Sequence, residues 1–197
     1  MRIIGGQAAG RIVQVPEGLG VRPMPDKVKL AVFNSLGDRV VGARVLDLFS
    51  GTGALGHECL SRGAAALYSV ERSEKHARCY RRNLETTGLP ASAVELRVMD
   101  VFAAVPQLKA SGRHFDLVIA DPPYGEKNVG RRSESAAQRL LDTAELPGLL
   151  APGGLLVLGH ARRDTVEWDA LWREHRTLRH GDTLIRFLQP AEGTHAA

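Results

Sequence analysis

Four consecutive residues, Asp121-Pro122-Pro123-Tyr124, bring together a carboxylate, two imide carbonyls and an aromatic ring. Proline fixes φ and has no backbone N–H, so the pair removes two donors and leaves rigid acceptors. An exocyclic amine on a nucleobase suits such a site. It can donate one hydrogen to the Asp121 carboxylate and the other to the Pro122 carbonyl, which lets its ring-delocalised lone pair develop toward an electrophile. Tyr124 offers a face on which an unstacked base can lie, an interaction worth ~1–3 kcal/mol per base.

A second cluster could hold the electrophile. Gly51-Thr-Gly-Ala-Leu-Gly56 follows an apolar run and opens a helical pattern, the context in which G-x-G-x-x-G marks a nucleotide-cofactor turn. Its glycines allow tight turning and close approach of a ligand to backbone N–H groups. Glu71, twenty residues beyond Gly51, stands where a carboxylate accepts hydrogen bonds from two ribose hydroxyls. These features fit NAD or S-adenosylmethionine. Asp47 decides between them, because a carboxylate beside the turn repels a pyrophosphate and suits a cationic amino-acid group. Asp100, closing Arg97-Val-Met-Asp, is placed to accept from an adenine amino group.

The elements that must position these groups alternate in type. An apolar strand (44–49), a helix (55–62), a strand (67–71), a helix (74–87), a strand (94–99), a helix (101–109) and a strand (115–120) follow one another, the rhythm of βαβ units around a parallel sheet. A helix over 134–143, a turn at Ala151-Pro-Gly-Gly and a strand at 155–158 come next. Segments 172–178 and 184–188 then face each other across His180-Gly181-Asp182 as an antiparallel hairpin. About forty residues precede this domain: a hairpin of 2–4 against 11–15, a Pro/Gly-rich stretch, and a helix from Asp26 with Val28, Val32, Phe33 and Leu36 on one face. The expected organisation is an extension over 1–40, a domain over 41–190 and a loose tail over 191–197.

Composition narrows the class. The chain has 197 residues, 44% hydrophobic and 24% charged, ordinary values for one globular domain. No apolar run is long enough for a membrane span, and the N-terminus lacks a secretory pattern, so the expectation is a cytoplasmic protein with no membrane partner. Cys59 and Cys79 read as reduced packing residues, and seven scattered histidines give no ligand set, so no metal is expected. Trp168 and Trp172, four apart, read as a hydrophobic helix face. The net charge of +4 is uneven: six basic residues oppose three acidic ones in 1–42, and five oppose one in 72–82. A polyanionic partner fits that balance.

The combination resembles the bacterial small-subunit ribosomal RNA guanine-N2 methyltransferases called RsmD. The resemblance runs from Arg2 to about Leu188. It rests on Arg2-Ile-Ile-Gly-Gly, Gly10-Arg11, Arg22-Pro23 with Asp26 and Val28, Phe33-Asn34, Asp47 to Gly56, Leu60-Ser-Arg-Gly-Ala, Val70-Glu71, Asn83-Leu84, Asp121-Pro-Pro-Tyr and Gly181-Asp-Thr. It implies a Rossmann-like class I methyltransferase fold, a seven-stranded mostly parallel sheet with an antiparallel C-terminal hairpin. S-adenosylmethionine would be held by Asp47, Phe49, Ser50, Gly51, Thr52, Gly53, Glu71, Arg72, Asp100 and Val101. Asp121, Pro122 and Tyr124, with Pro123, would receive a guanine of 16S ribosomal RNA, within the small subunit or its assembly intermediate. Arg11, Arg22 and Lys29 would meet RNA phosphates, and the protein would act as a monomer. Two departures stand out: Met24-Pro25 replaces a Thr and a small polar residue, and Leu30 stands where an acidic residue is common. Other readings remain open at this point: an adenine-N6 or cytosine-N4 DNA methyltransferase, a protein-glutamine methyltransferase, an NAD-dependent oxidoreductase, and a non-catalytic RNA-binding module.

Overall fold

A computed structural model describes residues 1–15, 24–124 and 132–191. The chain divides into two compact units, Met1–Val101 and Phe102–Ala197.

In the first unit the N-terminal residues form a minimal hairpin. Arg2 bridges Ile12, Ile3 N–H donates to Arg11 at 2.8 Å, and Val13 N–H donates to Met1 at 2.9 Å. Alternation sorts the side chains, with Ile3 and Val13 fully buried and Ile12 68% exposed. Helix α1 (Asp26–Leu36) buries Val28, Val32, Phe33 and Leu36, the face its spacing predicts. Strand β1 (Arg44–Leu48), helix α2 (Ala54–Ser61), β2 (Ala66–Glu71), α3 (Glu74–Thr87) and β3 (Val94–Val98) follow. Val45, Leu46, Leu48, Leu67 and Val70 are buried without alternation, as a strand covered on both faces requires. Parallel pairing of Asp47 with Ser69 and of Glu71 with Val98 brings the acidic residues to the carboxyl ends of their strands. Ser73 caps α3 through His76 N–H, and Gly88 ends it at φ 66°.

Helix α4 (Val101–Ala110) leads into the second unit, with β4 (Phe115–Ala120), α5 (Ala136–Leu141), β5 (Leu150–Ala161), β6 (Trp172–His180) and β7 (Thr183–Pro190). β4 and β5 are parallel, whereas β5–β7 and β6–β7 are antiparallel. The sheet has seven strands in the order β3-β2-β1-β4-β5-β7-β6, mostly parallel with an antiparallel C-terminal pair. No helix among the described residues is long and apolar enough to cross a membrane.

Three local expectations change. β5 starts at Leu150, so the Ala151-Pro-Gly-Gly turn lies inside an irregular strand whose register shifts between Phe115 and Leu117 of its neighbour. α5 is shorter than the expected 134–143 because Ser135 caps it, accepting from Gln138 N–H at 3.2 Å. Trp168 and Trp172 share no helix: Trp172 opens β6, and Trp168 lies in a loop against the Arg186 guanidinium, 5.2 Å from the ring centroid. Spacing by four marks one helix face only where a helix forms.

Candidate functional site

In the first unit the glycine turn is built tightly around two buried carboxylates. Asp47 is 1% exposed, and its Oδ2 accepts from Gly56 N–H at 3.1 Å. A Cβ at Gly56 would come within 2.6 Å of that oxygen, so the last glycine of the motif is dictated by Asp47. Gly51 and Gly53 take φ of 57° and 91°. Phe49, with φ 60°, is the one non-glycine residue at positive φ among the described residues. A bulky residue held there stores backbone strain, and such strain concentrates at functional sites.

Glu71 fastens this turn to the end of β2. One carboxylate oxygen accepts from Gly51 N–H at 2.8 Å, and the other from Ser73 N–H at 2.7 Å with His76 Nδ1 at 3.2 Å. The oxygen facing Gly51 keeps an acceptor position, whereas the other already faces two donors. Ser50 N–H donates to Val70 at 3.0 Å, and Thr52 is buried. Arg72 and Asp100 are exposed and Val101 is buried.

Two residues outside the sequence-derived set shape the same turn. Asn83 donates to the carbonyls of Thr52 and Gln14, both at 2.9 Å, and accepts from Gln14 N–H at 2.9 Å. It thereby ties the N-terminal hairpin to the glycine turn. His57 is fully buried against Tyr80, with ring centroids 4.4 Å apart, and neither ring nitrogen has a hydrogen-bond partner. Burial, assisted by the Lys29 charge, lowers its pKa to about 3, so the ring is neutral. Its Cε1 would lie 2.5 Å from a Cβ at Gly53, a second reason for glycine there.

Lys29 is a correction. Its side chain is fully buried, with Nζ 3.2 Å from Glu58, and it donates to the Arg2 carbonyl. Glu58 also accepts from Ile4 and Gly5 N–H at 2.8 and 2.9 Å and from Arg62 at 2.8 Å. An ammonium enclosed in this way cannot reach a phosphate; it holds the N-terminal segment onto α2. Arg11 is exposed, whereas Arg22 lies outside the described residues. Cys59 and Cys79 are free and buried, and desolvation raises both thiol pKa values.

In the second unit Asp121 emerges from the carboxyl end of β4. Ala120 pairs with Leu158, and Asp121 Oδ1 sits where a Cβ on Gly159 would lie, 2.5 Å away. The residue as a whole keeps partial exposure, but Oδ1 is sealed from solvent and has no hydrogen-bond partner. Desolvation pushes the Asp121 pKa up to about 7. Pro122 is buried and Pro123 exposed. Tyr124 exposes 40% of its surface, yet its hydroxyl is tethered to Thr183 Oγ1 at 2.9 Å, so an accessible ring is held in one place. No cluster of potential metal ligands occurs among the described residues.

The donor set in the first unit fits S-adenosylmethionine. Two buried carboxylates flank the turn, and no basic residue lies between Asp47 and Gly56 to meet a pyrophosphate. Fold and site together define a class I S-adenosylmethionine-dependent methyltransferase. Residues 1–189 match the family described as Conserved hypothetical protein 95, and the chain belongs to this family, that of RsmD.

Among its relatives, Bacillus subtilis YlbH, whose name proposes an rRNA methyltransferase, is 35% identical over 162 residues, covering 82% of this chain and 83% of that one. The Escherichia coli K12 ribosomal RNA small subunit methyltransferase D is 39% identical over 124 residues, 63% of this chain and 60% of that protein. The match thus spans about three fifths of that relative's length. A solved Escherichia coli structure, yhhF, is 28% identical with a TM-score of 0.78 and covers 97% of this chain and 98% of that one. A hypothetical protein of Thermus thermophilus is also 28% identical, with a TM-score of 0.77 and coverage of 96% and 99%.

Proposed function

We propose that the protein methylates the exocyclic N2 amine of a guanine in 16S ribosomal RNA, with the target base turned out of its stack into the Asp121–Tyr124 pocket. The observation that carries this reading is the Asp-Pro-Pro-Tyr segment: a carboxylate with a raised pKa, a fixed acceptor beside it, and a tethered, accessible ring. The names of the Escherichia coli and Bacillus subtilis relatives support ribosomal RNA as the substrate class.

S-adenosylmethionine, when bound, supplies a methyl group activated on a sulfonium. Asp47 provides negative charge for its cationic amino-acid end, and Phe49, Ser50, Gly51, Thr52 and Gly53 form the turn that approaches it. Glu71 and Arg72 serve the ribose hydroxyls, and Asp100 with Val101 the adenine. Asp121 and the Pro122 carbonyl accept the two N2 hydrogens and aim the nitrogen. Tyr124, with Pro123 beside it, takes the base face. The N2 nitrogen gains a methyl group and sheds one proton. A carboxylate whose pKa lies near 7 is a better acceptor for that proton than an ordinary aspartate. Most of the acceleration comes from alignment, because the sulfonium charge is lost as transfer proceeds. Arg11 and Arg22 contact RNA phosphates.

Two variants test this division of labour. Asp121→Ala should lower the transfer rate by about 100-fold or more while leaving cofactor affinity near wild type. Glu71→Ala should chiefly weaken cofactor binding, measured by calorimetry. Equal loss of both quantities in both variants refutes the assignment.

A further inference from the structure

The second unit carries a basic surface that the reading above does not use. Arg162, Arg163 and Arg176 are exposed, and none of them forms an ion pair among the described residues. Sheet register brings Arg176 to the side of the site. Thr183, which holds Tyr124, pairs directly with His180 of β6. Side chains opposite one another on neighbouring strands share a face, so His180 lies on the Tyr124 side of the sheet. Alternation along β6 then puts Leu178 and Arg176 on that same face, with Arg176 about 13 Å along the strand from His180.

Thr177 lies on the opposite face, and a register shift between Glu174 and Arg176 puts Glu174 there too, where Arg186 donates to them at 2.9 and 3.0 Å. Arg162 and Arg163 directly follow β5, three and four residues beyond the Gly159 that abuts Asp121. Arg162 N–H donates to the Asp182 carbonyl at 2.7 Å, which pins this corner to the β6–β7 turn. The acidic groups nearby are Asp182, exposed in the turn, and Asp164, 4% exposed. Arg176 on the Thr183 face and the Arg162-Arg163 corner beside the β6–β7 turn are thus unpaired cations at this end of the sheet among the described residues.

We infer that Arg162, Arg163 and Arg176, together with His180, form a surface that takes the phosphates of the RNA strand flanking the base held at Tyr124. The inference rests on the RNA-methylation reading and adds a second contact region to the N-terminal one. Arginine suits phosphate through its planar set of donors. β6 is also an edge strand, and charged side chains on an edge discourage pairing with another chain. That alternative role is satisfied by a charge of either sign, whereas phosphate binding requires a positive one.

The test reverses the sign. In the full chain, Arg162→Glu, Arg163→Glu and Arg176→Glu are combined, and Kd for unmethylated small-subunit ribosomal RNA is measured from 50 to 200 mM KCl. Three lost contacts to a single strand should reduce the slope of log K against log salt by about 2, so wild-type affinity should fall about 20-fold more than the variant's across that range. S-adenosylmethionine affinity should stay unchanged, which shows that the cofactor turn is folded. The neutral triple variant with Gln at the same positions should lose the same slope. An unchanged slope in both variants, with wild type binding and methylating the RNA, overturns this inference alone. Failure of the wild-type protein to bind the RNA overturns the functional reading and this inference with it.

Discussion

Gly159→Ala is the sharpest probe of the Asp121 site, because it displaces the carboxylate while leaving its chemistry intact. Gly159 has no positive φ, so alanine brings no backbone strain at this position. What it brings is a methyl carbon 2.5 Å from Asp121 Oδ1 and 3.4 Å from its Cγ. Ordinary contact begins near 3.4 Å, so the oxygen must retreat by about 0.9 Å or β5 must yield. Overpacking of this kind costs ~1–3 kcal/mol, and a misplacement near 1 Å at a reacting centre costs ~100-fold in rate. The assay is initial-rate transfer of labelled methyl to small-subunit RNA, with cofactor affinity measured in parallel. We expect kcat to fall by about two orders of magnitude while cofactor Kd holds. Displacing the carboxyl from the surroundings that raise its pKa to about 7 should also shift the pH at which activity rises. A Gly159→Ala protein with wild-type kcat and an unshifted pH profile would refute the claim that the position of the Asp121 carboxyl controls transfer.

Two further outcomes follow from buried charges. Lys29→Met removes the ammonium facing Glu58 and should destabilise the protein by ~3–5 kcal/mol, read as a large drop in Tm, while the salt slope of RNA binding stays unchanged because Lys29 never reaches phosphate. Asp121 has a folded pKa of about 7 against an ordinary 3.8, so between those values the folded chain holds a proton that the unfolded chain has shed, and stability falls as pH rises through the window. Asp121→Asn removes that loss: its urea midpoint should exceed that of wild type at pH 8 and approach it at pH 4, while methyl transfer collapses.

Much of this was legible in the sequence. Strands β1 and β2 announce themselves as largely apolar runs, α3 carries its Ser73 cap and Gly88 stop, and the glycine turn sits between a strand and a helix as its pattern requires. The acidic residues were legible because each lies within two residues of the carboxyl end of a strand. What stayed hidden depends on partners distant in the chain. Lys29 reads as a surface cation until α1 packs on α2 and encloses it against Glu58. Gly159 and Thr183 look unremarkable in isolation, yet they meet Asp121 and Tyr124 from strands 38 and 59 residues further on. Asn83 lies on a helix whose pattern explains its burial but not its bonds to Gln14 and Thr52. The arginines of 162–176 are interspersed with acids, and only sheet register separates Arg176, on the Thr183 face, from Arg186, paired with Glu174 on the other.

The most direct test of the account is to identify the methylated nucleoside. Purified protein and methyl-labelled S-adenosylmethionine would be incubated with unmethylated small ribosomal subunits, with naked 16S RNA and with duplex DNA, and each nucleic acid then digested to nucleosides. Label is expected in N2-methylguanosine from a ribosomal substrate and none in DNA. Label in a DNA base, or in any RNA nucleoside other than N2-methylguanosine, would contradict it.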